Sequence, residues 1–273
     1  MSKNNKVIKS FGNEWNRFDQ SDLDSKELDK IFNDYFKIFP WHSIVKNAVG
    51  FDMGCGSGRW AKVVAPRVGK LHCIEPSSAI NIAKKNLKKI KNIKYINLTI
   101  DKLNLKPNSQ DFGYCLGVLH HIEDTQANLN KCTSLLRKNS PFLVYLYYNF
   151  ENRNFTYFLI WKLSEILRKV LSNSPEILKN FFSDFFAVIF YFPMAKITLF
   201  LDKLKFNVKH IPLSYYKNLS FYTMRTDSRD RFGTYLEKRY SKKQIRIMLK
   251  KAGLHKIKFS KNAPFWCAVG FKK

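Results

Sequence analysis

The chain has 273 residues, 48 lysines and arginines against 21 acids, and a formal charge of +27. That length holds one α/β domain of ordinary size plus an insertion, with ample core. The charge invites an anionic partner, yet arginine supplies only 11 of the 48 basic residues, which reads as a general drift to lysine as readily as a phosphate-binding surface. Five cysteines at 55, 73, 115, 132 and 267 lack C-x-x-C spacing. Their pattern argues against a disulfide framework or a zinc centre and fits a reducing cytoplasm, so no metal is expected. The first residues are polar and basic, so no signal peptide is expected either.

Residues 1–47 form a polar prelude of two expected helices. Phe11, Trp15 and Phe18 recur there at helical spacing. They read as a stripe packing on the main domain, or as an N-terminal lid whose Trp15 and Arg17 close over a ligand. Residues 48–148 then alternate short apolar runs (48–53, 71–75, 94–97, 111–116, 141–148) with helical segments (57–66, 77–90, 125–137). That alternation implies a doubly wound parallel sheet with helices on both faces.

Residues 149–240 read as a helical and loop insertion. Its Phe-rich part, 181–201, has a longest uncharged run of 11 residues (185–195), short of the roughly 20 a membrane-spanning helix needs. A helical cap over the sheet domain is one reading. A cap resting on a membrane or holding a lipid-like acceptor is the other. Within the insertion, 221–234 alternates arginine and aspartate without apolar periodicity, which suggests a loop held by ion pairs. Tyr222, Arg225 and Asp227 are candidates there for an acceptor wall. Residues 241–251 predict a helix stopped by Gly253, and 255–260 and 265–271 predict two strands completing the sheet.

The chemistry concentrates after the first apolar run. Asp52 is followed by Gly54, Gly56 and Gly58, with Cys55 between, and glycines let the backbone turn sharply and approach a ligand. A dinucleotide fold prefers G-x-G-x-x-G beside a pyrophosphate. Here an acid precedes G-x-G-x-G, which would repel phosphate and suits a cationic amino group. Glu75 closes the second run and is placed to hold a ribose. A nucleoside bearing an ammonium and a sulfonium but no phosphate, S-adenosylmethionine, meets both acids, with loop amides left for its carboxylate.

The motifs together resemble the class I S-adenosylmethionine-dependent methyltransferases, of the small-molecule type related to quinone biosynthesis. Thr99, Ile100 and Asp101 fall where that family places an adenine-contacting loop, and Pro76 and Leu116 lie at adjoining strand ends. Ser109–Asp124 is similar to its fourth strand and following helix, including the paired His120 and His121. The resemblance implies a Rossmann-like seven-stranded sheet with a C-terminal antiparallel hairpin strand and an insertion after the fifth strand. It also implies S-adenosylmethionine as cofactor and a cytoplasmic enzyme. Methyl transfer needs alignment first, and an oxygen or acidic carbon acceptor needs a base as well. His120 and His121 are the candidates, His120 favoured; Tyr147 and Arg153 are expected acceptor contacts. The rival readings are an RNA or DNA methyltransferase and a membrane-surface protein with a vestigial pocket. The first predicts an Asp/Asn-Pro-Pro-aromatic motif where Leu116–Leu119 stands.

Overall fold

A computed structural model describes residues 3–273. They divide into two compact units. One comprises residues through Ser21, Leu28–Asn149 and Leu236–Lys273; the other comprises Asp22–Glu27 and Phe150–Tyr235.

In the first unit, α1 (Lys3–Arg17) and the part of α2 (Ser25–Phe36) from Leu28 on lead into β1 (Val49–Met53), α3 (Arg59–Val64), β2 (Lys70–Ile74), α4 (Ala79–Asn86) and β3 (Ile93–Ile96). β4 (Phe112–Leu116), a 3-10 turn at Leu119–His121, α5 (Thr125–Ser134) and β5 (Pro141–Tyr145) follow. The sheet runs β3-β2-β1-β4-β5-β7-β6, where β6 is Leu254–Phe259 and β7 is Cys267–Lys272. β1 to β5 are parallel, and β7 inserts antiparallel between β5 and β6. This is the seven-stranded methyltransferase-type sheet with its terminal hairpin. The order reverses between β1 and β4, so the crevice for a ligand lies at the carboxyl ends of those strands.

Side-chain size fixes the central pairing. Gly50 lies opposite Phe112, and Phe51 opposite Gly113. A methyl group on either glycine would meet the facing ring at 2.2 Å. Each phenylalanine therefore lies over its neighbour's glycine and is fully buried, stabilising by about 1.5–3 kcal/mol apiece. β5 ends at Tyr145, short of the expected 148, because Tyr148 leaves the sheet to pair with Tyr240. All five cysteines are buried free thiols.

The second unit holds α6 (Phe155–Leu171), α7 (Glu176–Phe186), a π-turn (Ala187–Tyr191), α8 (Phe192–Lys203) and α9 (Phe221–Gly233). The expectation of a loop over 221–234 is wrong. Ser220 caps α9 by accepting from the Thr223 amide (3.2 Å), and Glu27 accepts from the Ser220 amide (3.0 Å) and the Thr223 hydroxyl (2.6 Å). α9 lacks apolar periodicity because its neighbours bury polar groups. Arg229 lies wholly inside, bonded to Asn180 and Glu176. α7, the π-turn and α8 make one helix, Glu176–Lys203, whose most apolar window has mean hydropathy 1.6. By length and composition alone it is able to cross a membrane. α10 (Lys242–Lys251), in the first unit, starts with a Ser241–Gln244 capping box.

Candidate functional site

The site grows from the turn after β1. Gly54, Gly56 and Gly58 all have positive φ (76°, 53° and 80°), a region that costs other residues strain. The turn is braced internally. Gly54 and Cys55 amides donate to the Ile74 carbonyl (2.8 and 3.0 Å), and the Gly58 amide donates to the Cys55 carbonyl (2.8 Å). The Gly56 amide donates to Glu75 Oε2 (3.1 Å). These four amides are spent on the protein itself. Cys55 is a buried spacer, its thiol pushed up by Cys73 and by burial.

Asp52 ends β1 and is 1% exposed, with no hydrogen-bond partner for Oδ2. Burial pushes its pKa up to about 8, opposed by the Tyr114 hydroxyl and reinforced by Glu75. Glu75, one strand over, accepts from the Gly56 amide and, through Oε1, from the Ser77 amide (2.9 Å). Burial also raises its pKa. Two carboxyls thus share one end of the sheet, desolvated and short of positive charge. Pro76 between Glu75 and Ser77 is half-buried.

Further along the same edge, Thr99 Oγ1 is buried without a partner, Ile100 is buried, and Asp101 is exposed. Asn97 ties this loop to β2 through the Glu75 carbonyl (2.7 Å). Leu116 closes β4, and at Gly117 (φ 79°) an added methyl would meet nothing within 4 Å. There is room beside the strand end. α1 lies on the glycine turn: a methyl on Gly56 would reach Trp15 Nε1 at 2.9 Å, and Asn16 donates to Ser78 Oγ (3.0 Å). Arg59 stands over the Trp15 ring at 5.4 Å.

His120 and His121 lie in the turn after β4, both buried, their ring centroids 4.0 Å apart. His121 Nδ1 lies 2.6 Å from the Leu236 carbonyl, and Phe11 meets its ring edge-on. His120 has no hydrogen-bond partner at either ring nitrogen. Burial, aided by His121 and Arg239, holds its pKa well below the ordinary imidazole range. Tyr147 stacks on it at 3.8 Å, and Arg239 sits 5.1 Å over the Tyr147 ring. The segment 236–240 straps across this corner. The Lys238 amide donates to the His120 carbonyl (3.0 Å), and the Tyr240 amide to the Tyr147 carbonyl (2.8 Å). Arg239 and the strap escaped sequence reading, since five ordinary, mostly polar residues carry no signal of where they return.

The other expected acceptor residues belong to the helical unit. Arg153 donates to the Lys209 carbonyl (2.7 Å), Arg225 pairs through two bonds with Asp184 (3.0 and 2.9 Å), and Asp227 accepts from the Tyr216 hydroxyl (2.8 Å). Tyr222 lies half-buried on α9, its carbonyl accepting from Thr226. These are bonds of that unit's own framework. Among the described residues no group of three His, Cys, Asp or Glu side chains is placed to hold a metal.

The profile of a methyltransferase domain family matches residues 51–144. Among solved structures, the chain is similar to a candidate methyltransferase of Bacillus halodurans, at 12% identity over 86% of this chain and 73% of that one, TM-score 0.52. It is also similar to a structure of the Haloferax volcanii Trm112 methyltransferase activator in complex with a candidate methyltransferase, at 12% identity over 93% and 96% of the chains, TM-score 0.51. The chain spans only 33% of phosphoethanolamine N-methyltransferase 1 of Haemonchus contortus, at 18% identity over 53% of this chain, TM-score 0.42. No curated protein sequence matches it.

Fold, glycine turn and matched profile define a class I methyltransferase domain. Its cofactor is S-adenosylmethionine. The residues fit that molecule: a buried carboxyl with one oxygen, Asp52 Oδ2, lacking a hydrogen-bond partner, a second acid at the next strand end, and open space at Gly117.

Proposed function

We propose that the chain methylates an oxygen or carbon atom of a small-molecule acceptor, in the manner of the quinone-biosynthesis-type enzymes that residues 45–148 resemble. Asp52 and Glu75 would hold the donor, Asp52 by charge and Glu75 through its remaining lone pairs toward a ribose diol. Bound there, the donor supplies an electrophilic methyl carbon on a sulfonium.

His120 carries the reading. It is a neutral, buried imidazole with both nitrogens unpartnered at the end of β4. Leaving such a group unbonded costs about 1–3 kcal/mol, a cost a proton-bearing acceptor would remove. Its depressed pKa makes it a weak base, so it suits an acceptor that is already acidic, such as a phenol, an enol or an activated C–H. The Tyr147 face at 3.8 Å steadies the imidazolium as it forms. Tyr147 is thus kept as an acceptor-side residue.

The test supplies isotopically labelled donor to the purified chain with fractionated cell extract and identifies the labelled product by mass spectrometry. His120→Gln should lower turnover by about 10²–10⁴ while calorimetry shows donor binding unchanged. Labelling at wild-type rate in that variant would remove His120 from the chemistry.

A further inference from the structure

The helical unit is built inside out. Along α6 the less exposed stripe is Tyr157, Trp161, Ser164, Glu165 and Arg168, while Phe158, Leu163 and Ile166 stand in the open. A helix packed for water shows the reverse. α9, the most charged of this unit's long helices, is packed against α6, α7 and the π-turn. Ser183, Thr198, Ser228 and Arg229 are wholly buried. Of 23 large apolar side chains exposed among the described residues, 21 belong to this unit. Soluble monomers scatter such residues singly; a concentration marks an interface.

We propose that this unit docks on the surface of an anionic lipid bilayer, laying the outer faces of α6 and the α7–α8 helix into the acyl boundary. Charge selects lipid over a second copy of the chain. Phe150–Tyr235 exposes six lysines (162, 169, 196, 203, 205 and 209) against two acids, Glu151 and Asp202, and Asp22–Glu27 adds Lys26, Asp22 and Asp24, so the unit's exposed balance stays basic. Face-to-face self-association would oppose those lysines, whereas anionic headgroups satisfy them. Lys162 and Lys169 rise from the apolar face of α6 itself, where their long stems reach back to the headgroups.

Burial also selects docking over spanning. The inner stripe of Glu176–Lys203 packs on α9, which carries Arg225, Asp227, Arg229, Asp230 and Arg231. A spanning pose would take that charge to hydrocarbon depth, which is costly. A pose in the interface plane immerses only the apolar side. The proposal is independent of the methyl-transfer reading.

The experiment floats the full chain with vesicles of phosphatidylcholine alone or with phosphatidylglycerol added, at low and high salt. Flotation with the anionic vesicles is expected, with part of it surviving high salt. The double variant Phe181→Ser/Phe185→Ser should weaken partitioning at least about tenfold, with its circular dichroism and its calorimetric response to S-adenosylmethionine unchanged. No flotation with either vesicle would overturn the proposal, as would equal flotation of the double variant. A wild-type dimer in light scattering that the double variant dissolves would assign the face to protein instead. Absent donor binding in every variant would strike the cofactor-site reading alone.

Discussion

Replacing Asp52 with asparagine separates two effects that its burial couples. In the folded chain the carboxyl titrates at about 8 against an ordinary 3.8, so it keeps its proton where the unfolded chain has lost it. A raised acid favours folding fully below the unfolded pKa, and that stability fades as pH climbs toward the folded one. At about 1.4 kcal/mol per unit, the roughly three units between the unfolded value and pH 7 cost about 4 kcal/mol. Asparagine keeps the shape and cannot ionise, so Asp52→Asn should be more stable at pH 7 and close to wild type near pH 4. Chemical denaturation at the two pH values measures this.

Donor binding should move the other way. A cationic donor needs the ionised carboxylate, so wild-type affinity should rise by up to about tenfold per pH unit approaching pH 8 and then level. Glu75, also raised, adds to the slope at lower pH. The variant should lose the climb toward pH 8 and bind about 10- to 150-fold more weakly above it, the worth of a charge-assisted bond. Calorimetry that finds the two proteins equal at high pH, or a wild-type affinity flat through the neutral range, would refute the role given to Asp52.

Three further outcomes follow from single positions. Gly117→Ala meets no protein atom, so beyond about 1 kcal/mol of left-handed strain it should fold normally yet bind donor more weakly, as paired denaturation and calorimetry would show. Gly54→Ala combines φ 76° with a contact at 2.4 Å to Val118, and should lower stability by about 2–4 kcal/mol, visible as a lowered melting temperature. Arg229→Met removes the buried partner of Glu176 (2.7 Å). With Glu176 36% exposed, the loss should sit near the lower end of the range for broken buried pairs, about 3 kcal/mol, read from denaturant unfolding.

The sheet was legible because each strand is an apolar run closed by a residue with a special backbone or charge: Asp52, Glu75, Leu116 before Gly117. Asp52, Glu75 and the three glycines could be picked out because a sharp turn and a desolvated acid each demand particular residue types. α9 was illegible for a physical reason. Helices are recognised by an apolar stripe, and a helix that buries Thr226, Ser228 and Arg229 has none. The neighbourhood of His120 was half legible. Tyr147 follows β5 directly, whereas Arg239 reaches it only through the backbone pairing of Tyr147 and Tyr240, a long-range closure that no local pattern encodes.

That pairing also governs how the insertion is attached. The Asn149 amide donates to the Tyr240 carbonyl at 3.1 Å, so the chain departs and comes back through one doorway. Some 86 residues (Phe150–Tyr235) leave and re-enter the sheet domain at neighbouring points, an arrangement that tolerates exchange of an inserted segment. A chain spliced from Asn149 to Leu236 by a short glycine linker should keep its sheet and its donor affinity. The doorway's frame includes the carbonyl of His120, so the strand of chain that closes the insertion also fixes the turn carrying the proposed proton acceptor.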